Sequence, residues 1–176
     1  MARLLGGRAL LFGTLPASSR SLGPVRILAV NVVWFKRDLR VDDHRPLVEA
    51  CRRGPVLPVL LDEPEGWAQP DMARRHREFV AESIADLDEA LRRRGQGLLV
   101  LRGPALESLD RLRREFGMRT VFAHQETGNG WSFQRDRDVR RWCHESAIEF
   151  HEFPQFGVIR GLRDRQGWAA LGAVHG

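Results

Sequence analysis

Lysine is almost missing from this chain: Lys36 stands alone, and the other 27 basic residues are arginine. Cysteine is scarce as well, with Cys51 and Cys143 far apart and in no Cys-x-x-Cys pair. That excludes a disulfide framework and a cysteine-based zinc site, and the six scattered histidines show no metal-ligand spacing. Two small thiols in helix-like segments fit a reducing cytoplasm. No apolar run approaches the ~18 residues of a membrane span. Three glycine-dependent signatures are also absent. The first strand is not followed by Gly-x-Gly-x-x-Gly, which argues against a standard dinucleotide site. Without a Gly-Lys-Ser/Thr loop there is no phosphate cradle of the P-loop kind, and without Gly-x-Ser-x-Gly no nucleophile turn. No catalytic set stands out.

What is present is ordinary for a globular domain: 176 residues, 43% hydrophobic and 29% charged. The net charge of +5 invites a nucleic-acid reading. The arginines, however, spread along helix-like segments such as Arg92-Arg93-Arg94 and Arg111-Leu112-Arg113-Arg114, with acids interleaved. A solvated face, with arginine favoured by a GC-rich coding sequence, is the preferred reading. Residues 1–26 hold four arginines, several serines and no acid around Ala9-Leu10-Leu11-Phe12. That composition suits an organellar transit peptide or a weak secretory signal. A disordered leader, or a start read upstream of the true one, is preferred.

From residue 27 the pattern alternates. Strands are expected at Ile27–Phe35, Val56–Leu61, Leu98–Leu101, Arg119–Ala123 and Ile148–Phe153. Helices are expected at Pro46–Arg53, Asp71–Arg94, from Pro104 to about Phe116, and Gly128–Ser146. The second helix is the clearest, with Phe79, Val80, Ile84, Leu87 and Leu91 at intervals of three and four and Gly95 past its end. Such alternation demands crossover connections. The expected fold is therefore α/β: a doubly wound, Rossmann-like five-stranded parallel sheet with helices on both faces, over residues 27–154. Residues 155–176, with Gly157, Gly161 and Gly167, read as the start of a connector that is cut short.

Open parallel sheets bind ligands beyond the carboxyl ends of their strands. Val32 to Asp43 shows such an end, where an apolar run closes on Trp34-Phe35 and breaks into alternating charges. Phe35, Lys36, Arg37 and Asp38 follow strand one, and Asp62 and Glu63 follow strand two. Arg102 and Gly103 follow strand three; His124, Gln125 and Glu126 follow strand four. Together they make a polar rim on an aromatic floor, suited to a planar or phosphate-bearing ligand. Asp42 and Asp43 are read as caps of the next helix. His124 is read as a hydrogen-bonded structural histidine, and Trp34 and Phe35 as core or pocket floor.

Four segments in order then carry a resemblance. Trp34-Phe35-Lys36-Arg37-Asp38-Leu39-Arg40 with Asp43-His44 resembles the opening of the DNA photolyase/cryptochrome family. Phe79, Glu82, Ser83, Ile84, Leu87 and Leu91, running to Gly95 and Leu98, resemble its second long helix. His124-Gln125-Glu126-Thr127-Gly128-Asn129 with Arg135-Asp136 is similar to its segment after strand four. Pro154-Gln155, Gly157-Val158 and Arg165-Gln166-Gly167-Trp168 resemble its interdomain connector.

The resemblance implies an antenna domain that binds a folate, deazaflavin or flavin and passes excitation to FAD. It places the FAD, the DNA contact and the catalysis in a helical domain beyond this chain, so no catalytic residue is expected here. The expected antenna contacts are Phe35, Lys36, Arg37, Arg102, His124 and Glu126. Lys36 and Arg37 would meet an anionic tail, and Glu126 would accept from a ring N–H. Antenna affinity is expected to be weak without the second domain's half of the pocket wall. Gly128-Asn129-Gly130-Trp131 replaces a more polar segment of many folate-binding members, which leaves the antenna's identity open. Two other readings stand beside this one: a separate nucleotide-binding α/β module, and a non-functional truncated remnant.

Overall fold

The computed structural model describes residues 29–155. The expected leader and nearly all of the expected connector lie outside them, as does the beginning of the first expected strand. The strands are β1 (Asn31–Phe35), β2 (Val56–Asp62), β3 (Leu99–Arg102), β4 (Thr120–His124) and β5 (Glu149–Phe153). Between them run α1 (Arg45–Arg53), α2 (Pro64–Trp67), α3 (Arg74–Arg92), α4 (Ala105–Phe116) and α5 (Gly130–Glu145). All neighbouring strands pair in parallel, in the order β3-β2-β1-β4-β5. This is the doubly wound α/β sheet expected from the alternation. The order reverses between β1 and β4, so a crevice opens beyond their carboxyl ends.

Strand β1 shows why the sheet has two cores. Every residue of it is buried, and successive side chains point to opposite faces. Val32 and Trp34 join Leu109 and Leu112 of α4 and Val139 and Cys143 of α5 in one cluster. Val33 and Phe35 join Ala50 of α1 and Leu87 and Leu91 of α3 in the other. A strand buried on both faces reads as a continuous apolar run, as this one does.

Three expectations need correction. The α1 cap is His44, whose Nδ1 accepts from the Leu47 amide at 3.1 Å; Asp43 and Asp42 lie one and two residues before it. Asp43 instead takes a positive φ of 51° at the bend. The short helix α2 was not anticipated, because four residues are too few to show a period. The apolar stripe of α3 is buried only in its second half: Leu87 and Leu91 are buried, Val80 and Ile84 half-buried, and Phe79 is 69% exposed. The first half overhangs the strand ends, and Phe79 faces a cavity there. Among the described residues no helix is long and apolar enough to cross a membrane.

The two thiols sit in opposite environments. Cys51 is exposed on α1, whereas Cys143 is buried and burial pushes its thiol up to about 12. Native protein treated with iodoacetamide near pH 8 is expected to take one label, on Cys51, and a second only after denaturation. Mass spectrometry of the labelled peptides checks this.

Candidate functional site

A cavity of about 570 Å³ opens at the carboxyl ends of β1 and β2 and the start of α5, within the size range of small-molecule sites. Trp34 and Phe35 form its floor with Leu60 and Leu61. Trp67, Met72, Phe79 and Val80 form one wall, and Trp131 and Arg135 another. All of these walls belong to the described residues of this one chain. Within this chain, α2 and the overhanging half of α3 supply one side of the cavity, and the rest of it is open.

Local contacts hold the walls together. Asn129 caps α5 by accepting from the Ser132 amide at 3.0 Å. Its amide nitrogen reaches back to both oxygens of Asp71, at 2.8 and 3.0 Å, joining the β4–α5 loop to the segment before α3. Trp67 Nε1 donates to Asp62 at 2.6 Å, which fixes the indole beside the end of β2. A methyl at Gly66 would lie 2.9 Å from the Trp131 ring, so only glycine lets α2 and α5 approach this closely.

Beneath the floor lies a buried charge network. Arg135 Nη1 donates to Glu63 at 2.6 Å, and Nη2 donates to Glu126 at 2.7 Å and to Asp136 at 2.9 Å. The guanidinium also stands over the rings of Trp34 (4.8 Å) and Trp131 (5.4 Å). Lys36 Nζ donates to Asp136 at 2.5 Å and to the His124 carbonyl at 3.0 Å, 4.5 Å from the Trp34 ring. Burial pulls the Arg135 guanidinium down, but Glu63, Asp136 and Glu126 together raise it above its ordinary value. Burial likewise lowers Lys36, and Asp136 only partly restores it. The carboxylates divide. Burial raises Glu63 more than Arg135 lowers it, whereas for Glu126 burial is outweighed by Arg135, Lys36, the Gly128 amide and Arg37 acting together.

A second buried cluster locks β1, α1 and β4. Asp38 Oδ2 accepts from His44 Nε2 at 2.6 Å and from His124 Nδ1 at 2.5 Å, and Oδ1 accepts from the Lys36 amide at 3.0 Å. The three side chains lie close enough to suggest a metal. Their hydrogen bonds argue otherwise. His44 Nδ1 accepts the Leu47 amide, so the ring proton sits on Nε2 and is aimed at Asp38. A cation there would need the lone pair which that proton occupies.

The expected contacts therefore separate. Phe35 and Arg37 line the cavity, and Arg37 is half-exposed with its Nε 3.4 Å from Glu126. Lys36 lines it too, but its amine is turned into the network. Glu126 also faces it, yet one oxygen accepts the Thr127 and Gly128 amides (2.9 and 2.7 Å) and the other meets Arg135. It holds its loop in place and has little left for a ring N–H. His124 lies behind the floor, bonded to Asp38. Arg102 does not line this cavity; β3 is the sheet edge, and the side chain borders a separate groove by α4. The reading missed Trp67, Trp131 and Arg135. The last two are four residues apart, on one face of the first turns after β4, a spacing that could have marked them.

Burial pushes the Asp38 carboxyl up, but the bonds from His124 and His44 reverse this and hold it well below the ordinary carboxylate range. The unfolded chain therefore binds that proton more readily than the folded one. The Asp38 contribution is complete above the ordinary Asp value of 3.8 and is lost progressively as pH falls below it. Asp38→Asn is expected to cost about 3–5 kcal/mol at neutral pH and to flatten the loss of stability below about pH 4, as followed by urea unfolding.

Comparison with known proteins agrees with this fold. A family model described as DNA photolyase matches residues 31–159. Cryptochrome DASH (chloroplastic/mitochondrial) of Arabidopsis thaliana is 36% identical over 105 residues, 56% of this chain and 18% of that protein. The deoxyribodipyrimidine photo-lyase of Thermus thermophilus is 35% identical over 92 residues, 52% of this chain and 21% of that protein. In fold, the chain is similar to an archaeal photolyase from Sulfolobus tokodaii, solved with two FAD molecules. The TM-score is 0.70 at 24% identity, covering 81% of this chain and 34% of that one. The chain spans about a fifth of the length of the curated relatives it matches. With the family model matching more than half of its residues, the chain belongs to the DNA photolyase family and corresponds to the amino-terminal α/β portion of its relatives.

Proposed function

We propose that this chain is an antenna domain: it binds a planar chromophore at the carboxyl edge of its sheet and serves light harvesting in an FAD-dependent photolyase or cryptochrome. The observation that carries this is the aromatic cavity, closed on several sides by α2, α3 and α5 of the same chain. The Sulfolobus tokodaii photolyase lends support, since its two FAD molecules carry the implication of a novel light-harvesting cofactor. Repair or signalling, the catalytic FAD and contact with DNA are assigned to the rest of such a protein. This chain's share is capture and orientation.

The residues present fit a flavin or deazaflavin better than a folate. Glu63, Glu126 and Asp136 already accept from Arg135. A pterin head, rich in N–H donors, would find its carboxylate acceptors engaged. Donors remain at the rim: Arg37 is half-exposed, and Arg40 makes one 3.3 Å bond to the Asp43 carbonyl. A ligand with an anionic tail would set that tail on Arg37 and Arg40 and its rings between Trp67 and Trp131, with Trp34 and Phe35 below. A bound flavin or deazaflavin supplies absorption of light; the protein supplies shape, positive charge and exclusion of water.

Equilibrium dialysis is expected to show FMN bound more tightly than folic acid. Trp131→Ala should weaken FMN about tenfold or more through loss of ring contact. Arg37→Ala with Arg40→Ala should weaken FMN while leaving riboflavin nearly unchanged. Equal binding of folate and FMN, or of FMN by wild type and Trp131→Ala, would contradict the assignment.

A further inference from the structure

We propose that residues 64–86 form a flap that closes on the ligand, and that Asp71 and Asn129 are the latch that holds it closed. The proposal rests on the reading of the cavity as a ligand site and adds which part of that site moves. The stretch runs through α2, the turns after it and the overhanging part of α3.

Three observations carry this. First, no residue of the stretch is buried, and none belongs to either core cluster. Both of its ends are fixed. Glu63 is buried and bonded to Arg135, and Leu87 is buried in the cluster of Val33 and Phe35. Buried apolar surface is what resists opening, and α3 contributes none before Leu87. A segment tied at its ends without core contact of its own opens more readily than elements packed on the sheet.

Second, the stretch nevertheless turns apolar side chains toward the cavity. Trp67, Met72, Phe79 and Val80 line it, yet Phe79 is largely exposed and the other three are only half-buried. A planar ligand would cover that surface and so supply the apolar contact that the sheet does not. Third, among the described residues one hydrogen-bonded link joins the stretch to the opposite wall. Asn129 Nδ2 donates to both oxygens of Asp71, at 2.8 and 3.0 Å. The other side-chain bonds are local: Trp67 to Asp62 at the root of the flap, and Arg74 to Glu78 within α3. Gly66 meets the Trp131 ring without a directional bond. Asp71 is exposed and does not line the cavity, so its influence on a ligand passes through the flap.

The test is hydrogen exchange read by mass spectrometry on the full chain, with and without FMN, together with stopped-flow release of FMN. In wild type, amides of residues 64–82 are expected to exchange faster than those of α4 and α5, and FMN should slow them. Asn129→Asp keeps a good cap for α5 but sets two carboxylates face to face. It should speed both exchange over the flap and FMN release, each about fivefold or more. Asp71→Ala should act in the same direction. Asn129→Asp combined with Asp71→Asn reverses donor and acceptor, remakes the latch and should return both readings to near wild type. Glu78→Ala removes an acid from the same helix without touching the latch and should stay within about twofold. Far-UV circular dichroism confirms that each variant is folded. The proposal is overturned if the flap of wild type exchanges as slowly as α4, or if Asn129→Asp changes neither exchange nor release. It is equally overturned if the reversed pair fails to recover, because Asn129 then acts on the ligand or on α5 and not through Asp71. If wild type binds no FMN, the antenna reading fails, and exchange in the free protein and its latch variants still upholds or overturns the flap.

Discussion

The Arg135 guanidinium holds three carboxylates that come from three different places: Glu63 after β2, Glu126 after β4 and Asp136 beside it on α5. A buried positive charge is tolerated only where its donors are satisfied, and three buried acids only where a cation answers them. Each side of this arrangement therefore requires the other. Because the acids sit on separate elements, satisfying them brings the ends of β2 and β4 and the start of α5 together. The cavity floor follows from that constraint: Lys36 and Arg135 both stand over the Trp34 ring, and the same guanidinium stands over Trp131.

The Asp38 cluster performs a parallel task on the other side of β1. There one carboxylate gathers two histidines, His44 at the start of α1 and His124 at the end of β4. The two networks meet at Lys36, whose amide bonds to Asp38 and whose amine bonds to Asp136. The chain's single lysine thus spans both. It is buried, so its stem and charge belong to the frame. The groups left at the cavity are aromatic surface and the exposed arginines at the rim, the basis for the planar, anionic partner proposed above.

Much of the fold was legible because strands buried on both faces write themselves as apolar runs. β1, β2 and β4 are of that kind, and their ends were placed within a residue or so except where β1 was begun too early. The switch from apolar to charged residues after Phe35 marked the carboxyl end of β1, where the cavity opens. The interior of the site was harder to read. Lys36, His124 and Glu126 are polar residues at strand ends, and sequence does not say whether such a residue faces a ligand or a partner within the protein. Here all three face inward, toward Asp136, Asp38 and Arg135. Arg102 stood at an equivalent strand end, but β3 is an edge strand, a fact of strand order that local sequence does not carry. Phe79 kept helical spacing with Leu87 and Leu91, yet α3 outruns the sheet before reaching it.

The most direct measurement is flavin affinity in Arg135→Met together with near-UV and far-UV circular dichroism. If Arg135 assembles the cavity, the variant retains its far-UV helix signal, loses the near-UV signature of Trp34 and Trp131, and binds FMN far more weakly than wild type. If the variant keeps its near-UV spectrum and its FMN affinity, the floor does not depend on that guanidinium, and the account of how this chain builds its site is wrong.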